Sequence, residues 1–294
     1  MEIFGVSLPA MLSQLLLGLV NGSFYAMLSL GLAVIFGLLN VINFAHGALF
    51  MMGAVVTWMG MRYLGLNYWM MLLLAPLVIG IFGVIIERLF LRWIYKLDHL
   101  YGLLLTLGLT LIIEGAFRSA YGVSGLGYDT PELLEGATNL GFMILPNYRA
   151  FVVVASVVVC IATWFVIEKT KLGAYLRAGT ENPRLVEAFG VNVPVMVTLT
   201  YAFGAALAAF AGVLAAPIYQ VSPLMGQNLI IVVFAVVVIG GMGSIMGSIL
   251  TGLGLGIIEG FTKVCYPEAS SPVVFVIMVI VLLIRPAGLF GKEK

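Results

Sequence analysis

The chain has 294 residues, of which 62% are hydrophobic and only 9% are charged, where an ordinary soluble domain carries about 25% charged residues. Too little charge is present to cover a water-facing surface, so the solvent of the folded chain must be lipid. The formal net charge of +1 gives no basic surface for binding nucleic acid.

Two long uncharged runs indicate transmembrane helices. No Asp, Glu, Lys or Arg occurs in the 59 residues between Glu2 and Arg62, or in the 71 residues between Glu187 and Glu259. At about 20 residues per crossing, these runs have room for two and three spans. Glu2 stands where a secretory signal has basic residues, and the apolar run that follows is too long for a signal, so we expect it to be kept as an anchor.

Eight apolar stretches predict an all-α, polytopic integral membrane helical bundle with about eight membrane segments, forming a single domain over residues 1–294. The stretches are 9–39, 44–60, 68–86, 101–117, 150–167, 195–219, 228–258 and 272–290. The first and the seventh are too long for one straight span, and they contain Asn21-Gly22 and the glycine-rich run 240–244. We therefore expect helix breaks, and up to ten membrane elements.

Basic residues in the short linkers predict the orientation, because cytoplasmic loops collect lysine and arginine. The linkers 87–99 and 168–194 are basic and are predicted to be cytoplasmic. The linker 118–149 lies between them with one span on each side, so it is external. The basic C-terminal tail is also predicted to be cytoplasmic, which requires the stretch 228–258 to turn back as a hairpin.

The cytoplasmic segment 169–194 contains a predicted short helix over residues 183–189. Asn182 can cap this helix, Pro183 suits its first position, and Gly190 suits a left-handed closing residue. The sequence therefore predicts a folded element of about two turns outside the membrane.

This short helix has an apolar face and a charged one. Leu185, Val186 and Phe189 share the apolar face, whereas Arg184 and Glu187 point elsewhere. Such a face is typical of a helix that docks into a groove of another protein. The alternative is that it packs on the chain's own helices or on lipid headgroups, and both interpretations stay open.

Polar groups at membrane depth are candidates for a translocation path, because they need a home in protein or water. Asn40, Asn43 and His46 are spaced three apart and would form one polar stripe on a helix. His46 can equally be a structural histidine bonded to a backbone carbonyl. We expect the stretch 40–47 to be irregular or broken.

Glycines and a serine form the second candidate stretch, with Gly240, Gly241, Gly243 and Ser244. Free amides at the N-terminus of a half-helix favour a carboxylate, which is how many transporters hold anionic groups. Close helix packing is the alternative role for these glycines.

Two acidic residues are spaced for ion pairs along helices, Glu114 with Arg118 and Glu259 with Lys263. We expect them to serve anchoring or assembly, although a buried Glu259 would reopen the question of proton coupling.

Three stretches together resemble the permease subunits of branched-chain amino acid ABC importers, the LivH type. They read KLGAYLRA at 171–178 with ENP at 181–183 and EAFG at 187–190, LGLAVIFGLLNVINFAHGALFMMGA at 30–54, and VIGGMGSIMGSILTG at 238–252. Their order and the length of the chain also agree with that family.

The resemblance implies a permease subunit of a bacterial inner-membrane importer that moves branched-chain amino acids inward. Its expected partners are a second related permease subunit or a second copy, two cytoplasmic ATPases and a periplasmic solute-binding protein. Segment 169–194 would be the coupling loop, and its expected ATPase-coupling residues are Arg177, Glu181, Asn182, Pro183, Leu185, Glu187, Phe189 and Gly190.

Enzymatic activity is not expected of the chain itself. The phosphate-binding pattern GxxxxGK followed by Ser or Thr occurs nowhere in the sequence, so ATP must be hydrolysed by other subunits. Cys160 and Cys265 have no CxxC partner, and we expect neither a metal nor another cofactor.

Other functions remain as alternatives. One is the same machine with urea, a short amide or another carboxylate as cargo. Another is an ion-coupled secondary transporter, against which stand the scarcity of intramembrane carboxylates and the shaped cytoplasmic linker. A membrane enzyme is disfavoured because the sequence has no metal-ligand cluster and no nucleophile paired with a base.

The predicted orientation gives a labelling experiment. Cysteines introduced near Gly125 and Glu135 should react with an impermeant thiol reagent from the periplasm, and one introduced at Asn182 should react only from the cytoplasm. The reverse pattern of labelling would invert the orientation.

Overall fold

The fold is described from a computed structural model, which covers residues 2–3, 6–39, 42–95, 97–127 and 129–291. Over these residues it has twelve α-helices. They are α1 (Leu8–Leu39), α2 (Ala45–Leu64), α3 (Tyr68–Ile86), α4 (Arg92–Ile94), α5 (His99–Tyr121), α6 (Asn147–Lys169), α7 (Lys171–Glu181), α8 (Pro183–Ala188), α9 (Val193–Tyr219), α10 (Met225–Gly240), α11 (Ile245–Cys265) and α12 (Pro272–Ile284).

Shorter elements lie between these helices. A π-helical turn over Glu87–Leu91 joins α3 to α4, and two 3-10 turns cover Glu132–Leu134 and Pro267–Ala269. Two antiparallel hairpins of very short strands complete the secondary structure. Their strands are β1 (Glu2–Ile3) with β2 (Val6–Ser7), and β3 (Ala137–Asn139) with β4 (Ile144–Pro146).

The prediction of an all-α polytopic membrane bundle is confirmed. In the described part of the chain, six helices are long and apolar enough to cross a membrane, and two shorter helices are also apolar. The six are Leu8–Gly37, Tyr68–Ile94, Leu100–Tyr121, Asn147–Lys169, Val193–Tyr219 and Ile245–Cys265, and the two shorter ones are Met225–Gly240 and Pro272–Ile284.

A break at Asn21-Gly22 was a wrong prediction, because α1 runs without interruption from Leu8 to Leu39. The glycine serves packing instead. A Cβ atom at Gly22 would lie 2.9 Å from the carbonyl oxygen of Leu253 on α11. The missing side chain therefore lets the two backbones approach, which is how helices associate where lipid surrounds them.

The boundary of the linker predicted over residues 87–99 is also corrected. The helical backbone does not stop before Glu87 but continues through the π-helical turn and α4 as far as Ile94. Glu87 therefore belongs to the end of a membrane helix rather than to the linker.

Two compact units make up the chain. The first contains Met1–Ser29, Asp129–Ile161 and Val232–Lys294, and the second contains Leu30–Tyr128 and Ala162–Ile231. In the first unit, the N-terminal part of α1 packs against α11 through Gly22 and its neighbours. The prediction of one domain over residues 1–294 stays a prediction.

In the second unit, α2 and α3 both pack against α9. A Cβ atom at Gly53 of α2 would lie 2.5 Å from Cα of Ala209, and one at Gly83 of α3 would lie 2.9 Å from Cβ of Ala205. Both contacts are closer than ordinary side-chain packing, so α9 is the common support of α2 and α3.

Two glycines on α11 provide a test of this packing. A Cβ atom at Gly252 would lie 2.5 Å from the amide nitrogen of Ala26, whereas one at Gly254 meets nothing within 4 Å. We expect Gly252→Ala to lower the free energy of unfolding by about 1–3 kcal/mol, because overpacking forces the backbones apart. Gly254→Ala should be neutral or slightly stabilising, since alanine favours helix more than glycine does.

Thermal unfolding of the purified protein in detergent measures both variants. Equal unfolding midpoints for the two would contradict the close approach of α1 and α11.

Candidate functional site

The first predicted irregular stretch is a helix break. α1 ends at Leu39 and α2 begins at Ala45, while Asn40 lies outside the described residues. The hydroxyl of Thr106 on α5 accepts a hydrogen bond from the amide of Phe44 at 3.2 Å and lies 3.3 Å from the carbonyl oxygen of Ile42. One side chain thus bonds to two backbone groups at the interruption of the helix.

Asn43 and His46 are both fully buried in protein at this break. The amide Nδ2 of Asn43 donates to the hydroxyl of Tyr201 on α9 at 3.2 Å, and within the described residues its Oδ1 has no hydrogen-bond partner. The ring of His46 occupies the space beside Gly31, where an added Cβ atom would lie 2.9 Å from its Cε1. Both polar side chains therefore have a protein environment, and their contribution to a path stays a prediction.

A buried carboxylate near the end of α3 was missed by sequence reasoning. The side chain of Glu87 is only 1% exposed, and it accepts hydrogen bonds from the hydroxyls of Thr198 at 2.7 Å and Tyr95 at 3.1 Å. Burial, followed by the charge of Glu87, raises the pKa of the Tyr95 phenol, so this phenol stays a donor. π-helical turns such as the one that holds Glu87 are frequent at functional sites.

The second predicted irregular stretch is also a break between helices, and it belongs to the first compact unit. α10 ends at Gly240, and Ser244 caps α11 by accepting a hydrogen bond from the amide of Gly247 at 3.1 Å. Gly241 and Gly243 have positive φ angles of 100° and 82°, which side-chain-bearing residues rarely adopt. These glycines are therefore required by the turn itself.

The C-terminal stretch closes this second break. The amide of Leu289 donates to the carbonyl oxygen of Ile239 at 2.8 Å, and the amide of Phe290 donates to that of Gly240 at 3.1 Å. A Cβ atom at Gly240 would lie 2.7 Å from the backbone of Gly247. These contacts favour the packing role for the glycines, while a role in holding a carboxylate stays a prediction.

The segment between α6 and α9 folds much as its local sequence indicates. The side chain of Asn182 accepts a hydrogen bond from the amide of Leu185 at 3.1 Å, with Pro183 in the first turn of α8. Gly190 follows with φ of 83°. Helix α8 ends at Ala188, one residue before the predicted end.

The apolar residues of α8 divide between two directions. Val186 is buried in a cluster with Leu176 of α7 and with Val193 and Met196 of α9. Leu185 and Phe189 are 54% and 80% exposed. Of the three residues on the predicted apolar face, Val186 thus packs on the chain's own helices and anchors the segment, while Leu185 and Phe189 face outward.

Charged residues of this segment have different surroundings. Nη1 of Arg177 donates to the carbonyl oxygen of Ile167 at 2.8 Å and lies 3.3 Å from Oε2 of Glu168, so Arg177 ties α7 to the end of α6. Glu181 and Glu187 are exposed. Arg177 is exposed as well, but its guanidinium is engaged with the end of α6.

The two predicted helical ion pairs had different outcomes. Lys263 lies 2.9 Å from Oε1 of Glu259, whose other oxygen accepts from the hydroxyl of Tyr25 at 2.7 Å. No ion pair joins Glu114 to Arg118 within the described residues, because Glu114 is buried while Arg118 is exposed. Glu259 is thus buried and paired with Lys263, which argues against a free proton carrier at this position.

Comparisons with known proteins agree with the helical architecture. A model of the family described as branched-chain amino acid transport system permease component matches residues 14–282. The permease protein BraD of a high-affinity branched-chain amino acid transport system in Pseudomonas aeruginosa is 30% identical over 296 residues, 96% of each chain.

Two further relatives cover nearly the whole chain. The LivH permease protein of Escherichia coli K12 is 29% identical over 300 residues, again 96% of each chain. A probable branched-chain amino acid permease protein LivH of Methanocaldococcus jannaschii is 27% identical, over 94% of this chain and 91% of its own. No solved structure matches.

Two threonines on α5 test how the first break is held. Thr106 bonds across to residues 42–44, whereas Thr110, one turn along, donates within its own helix to the carbonyl of Thr106 at 2.8 Å. Thr106→Val should lower the free energy of unfolding by about 1–3 kcal/mol, because the partly buried amide of Phe44 loses this acceptor. Thr110→Val is the matched control and should cost less.

Thermal unfolding in detergent compares the two threonine variants. If Thr110→Val proves as destabilising as Thr106→Val, the hydroxyl of Thr106 does not hold the break.

Proposed function

Because the chain belongs to the family of permease components of branched-chain amino acid transport systems, we propose that it forms the inward translocation path for branched-chain amino acids in an ATP-driven importer. Residues 1–294 would then act as one permease domain of a bacterial inner membrane. The relatives named above are permeases for that class of cargo, which supports branched-chain amino acids over urea or amides.

One observation carries the proposal that ATP hydrolysis is coupled through this chain: Phe189 is 80% exposed beside a helix whose other face is fixed by Val186. A large aromatic side chain presented to water gains nothing from exposure, whereas burial in a groove of a partner would stabilise the complex. Segment 169–194 is therefore proposed as the coupling loop.

The proposed coupling residues divide by what their side chains do. Arg177, Asn182 and Pro183 build the segment, and Gly190 closes it. Leu185, Phe189 and the exposed carboxylates Glu181 and Glu187 are left for contact with a partner.

The importer would need partners that supply what the chain lacks. Two cytoplasmic ATPases would dock on the coupling loop, since the sequence has no phosphate-binding loop of its own. A second related permease, or a second copy, would complete the path, and a periplasmic binding protein would deliver the solute.

Both helix breaks are proposed to shape the path. Irregular backbone within a membrane protein is tolerated where protein buries it or where it lines a cavity. Asn40, Asn43 and His46 would contribute at the first break, and Gly240, Gly241, Gly243 and Ser244 at the second. The burial of Asn43 with an unbonded Oδ1, within the described residues, supports a polar role at the first of them.

A single substitution tests the docking surface. Phe189→Asp should abolish co-purification of the ATPases and ATP-dependent leucine uptake, because it places a charge where an apolar groove is expected. Leu133→Asp is the matched control, since Leu133 is 79% exposed in the predicted external linker and should leave the ATPases bound.

Leucine uptake into cells with and without a protonophore, with urea as a second solute, tests the cargo and the energy source. ATPase association retained in Phe189→Asp would refute the docking surface. Uptake that follows the ion gradient and not ATP would refute the importer.

A further inference from the structure

Helix α9 connects the exposed coupling loop to the first helix break through buried contacts of the second unit. Three steps make up this connection: an apolar cluster at the start of α9, a hydrogen bond to Glu87, and a hydrogen bond to Asn43. None of Thr198, Tyr201 and Glu87 has a role in the proposal made above.

The apolar cluster is the first step. Val186 of α8 packs with Val193 and Met196, which occupy the first turn of α9. The side chain of Asn192 caps this helix by accepting from the amide of Val195 at 3.1 Å. A displacement of Phe189 would therefore act on the first turn of α9, because Val186 packs against that turn.

The hydrogen bond to Glu87 is the second step. The hydroxyl of Thr198 donates to Oε2 of Glu87 at 2.7 Å, and the hydroxyl of Tyr95 donates to Oε1 at 3.1 Å. Within the described residues, neither of the two ion pairs involves this carboxylate. A buried carboxylate that two hydroxyls hold is costly to leave without them, so α9 and the end of α3 resist moving apart here.

The hydrogen bond to Asn43 is the third step. Tyr201 lies three residues beyond Thr198 on the same face of α9, is fully buried, and its hydroxyl accepts from Nδ2 of Asn43 at 3.2 Å. From Val193 to Tyr201 the helix rises about 12 Å without interruption. A displacement at the coupling loop thus has a continuous helix to carry it to residues 42–44.

We propose that Thr198 and Tyr201 are positioning residues that couple displacement of the coupling loop to the helix break at residues 42–44. The proposal rests on the proposed function and deepens it, because it names the side chains through which ATPase docking reaches the path. They act through Glu87 and Asn43 and touch neither ATP nor cargo.

α9 offers a matched pair of variants for the test. Thr198 and Thr200 are equally buried, and both hydroxyls lie near the carbonyl four residues earlier, but only Thr198 reaches Glu87. Thr198→Val should lower leucine uptake per ATP hydrolysed about tenfold, the effect of losing one hydrogen bond to a charged group. Thr200→Val should keep the wild-type ratio.

Two further variants separate coupling from folding. Thr198→Ser retains a hydroxyl and should restore the ratio, and Tyr201→Phe should lower it as Thr198→Val does. Uptake and hydrolysis are measured in the same proteoliposomes, which contain the whole complex with its ATPases and binding protein. Their quotient does not depend on how much of the variant is folded.

The outcomes distinguish this proposal from the proposed function. Wild-type uptake per ATP in Thr198→Val and Tyr201→Phe would overturn the positioning role while the importer stands. An equal loss in Thr200→Val, or no rescue by Thr198→Ser, would also overturn it. A wild-type complex without ATP-dependent leucine uptake would overturn both.

Discussion

Close backbone approach holds the helices of this chain together, because lipid tails are as apolar as the helices and give no reward for apolar burial between them. In the second unit this approach centres on α9, with Gly53 of α2 against Ala209 and Gly83 of α3 against Ala205. A helix that is seated this closely on two neighbours has little freedom to slide past them. The side chains of α9 therefore have fixed positions from which they can bond to other elements, and one such element is the helix break.

A helix break in a hydrocarbon environment exposes backbone groups that water cannot reach, so protein has to supply their partners. Here the hydroxyl of Thr106 bonds to the backbone of residues 42 and 44, and the hydroxyl of Tyr201 accepts a hydrogen bond from Asn43. The second partner comes from α9, the same helix that seats α2. Packing and polar satisfaction therefore depend on one element, and displacing α9 would disturb both at once.

Features that depend on a few neighbouring residues were predictable from the sequence. The cap of α8 by Asn182 and both helix breaks belong to this class, since caps and glycine turns are local. Features set by a distant partner were not predictable. Gly22 allows close helix packing because the backbone of Leu253 lies beside it. Val186 points inward because Met196 and its neighbours form an apolar cluster there.

Glu87 shows the same limit for charge, because its place at a linker edge gave no sign of burial, and one of its two donors, Thr198, lies 111 residues further along the chain. The orientation of helix α8 also depends on residues outside it. At six residues it is too short to be stable alone, so its orientation depends on the packing of Val186 in the cluster with α7 and α9. Phe189 points outward only while that cluster holds. The direction of Phe189 and the support of the break therefore both depend on α9, and under the proposed function a partner bound at Phe189 would act on the break through this helix.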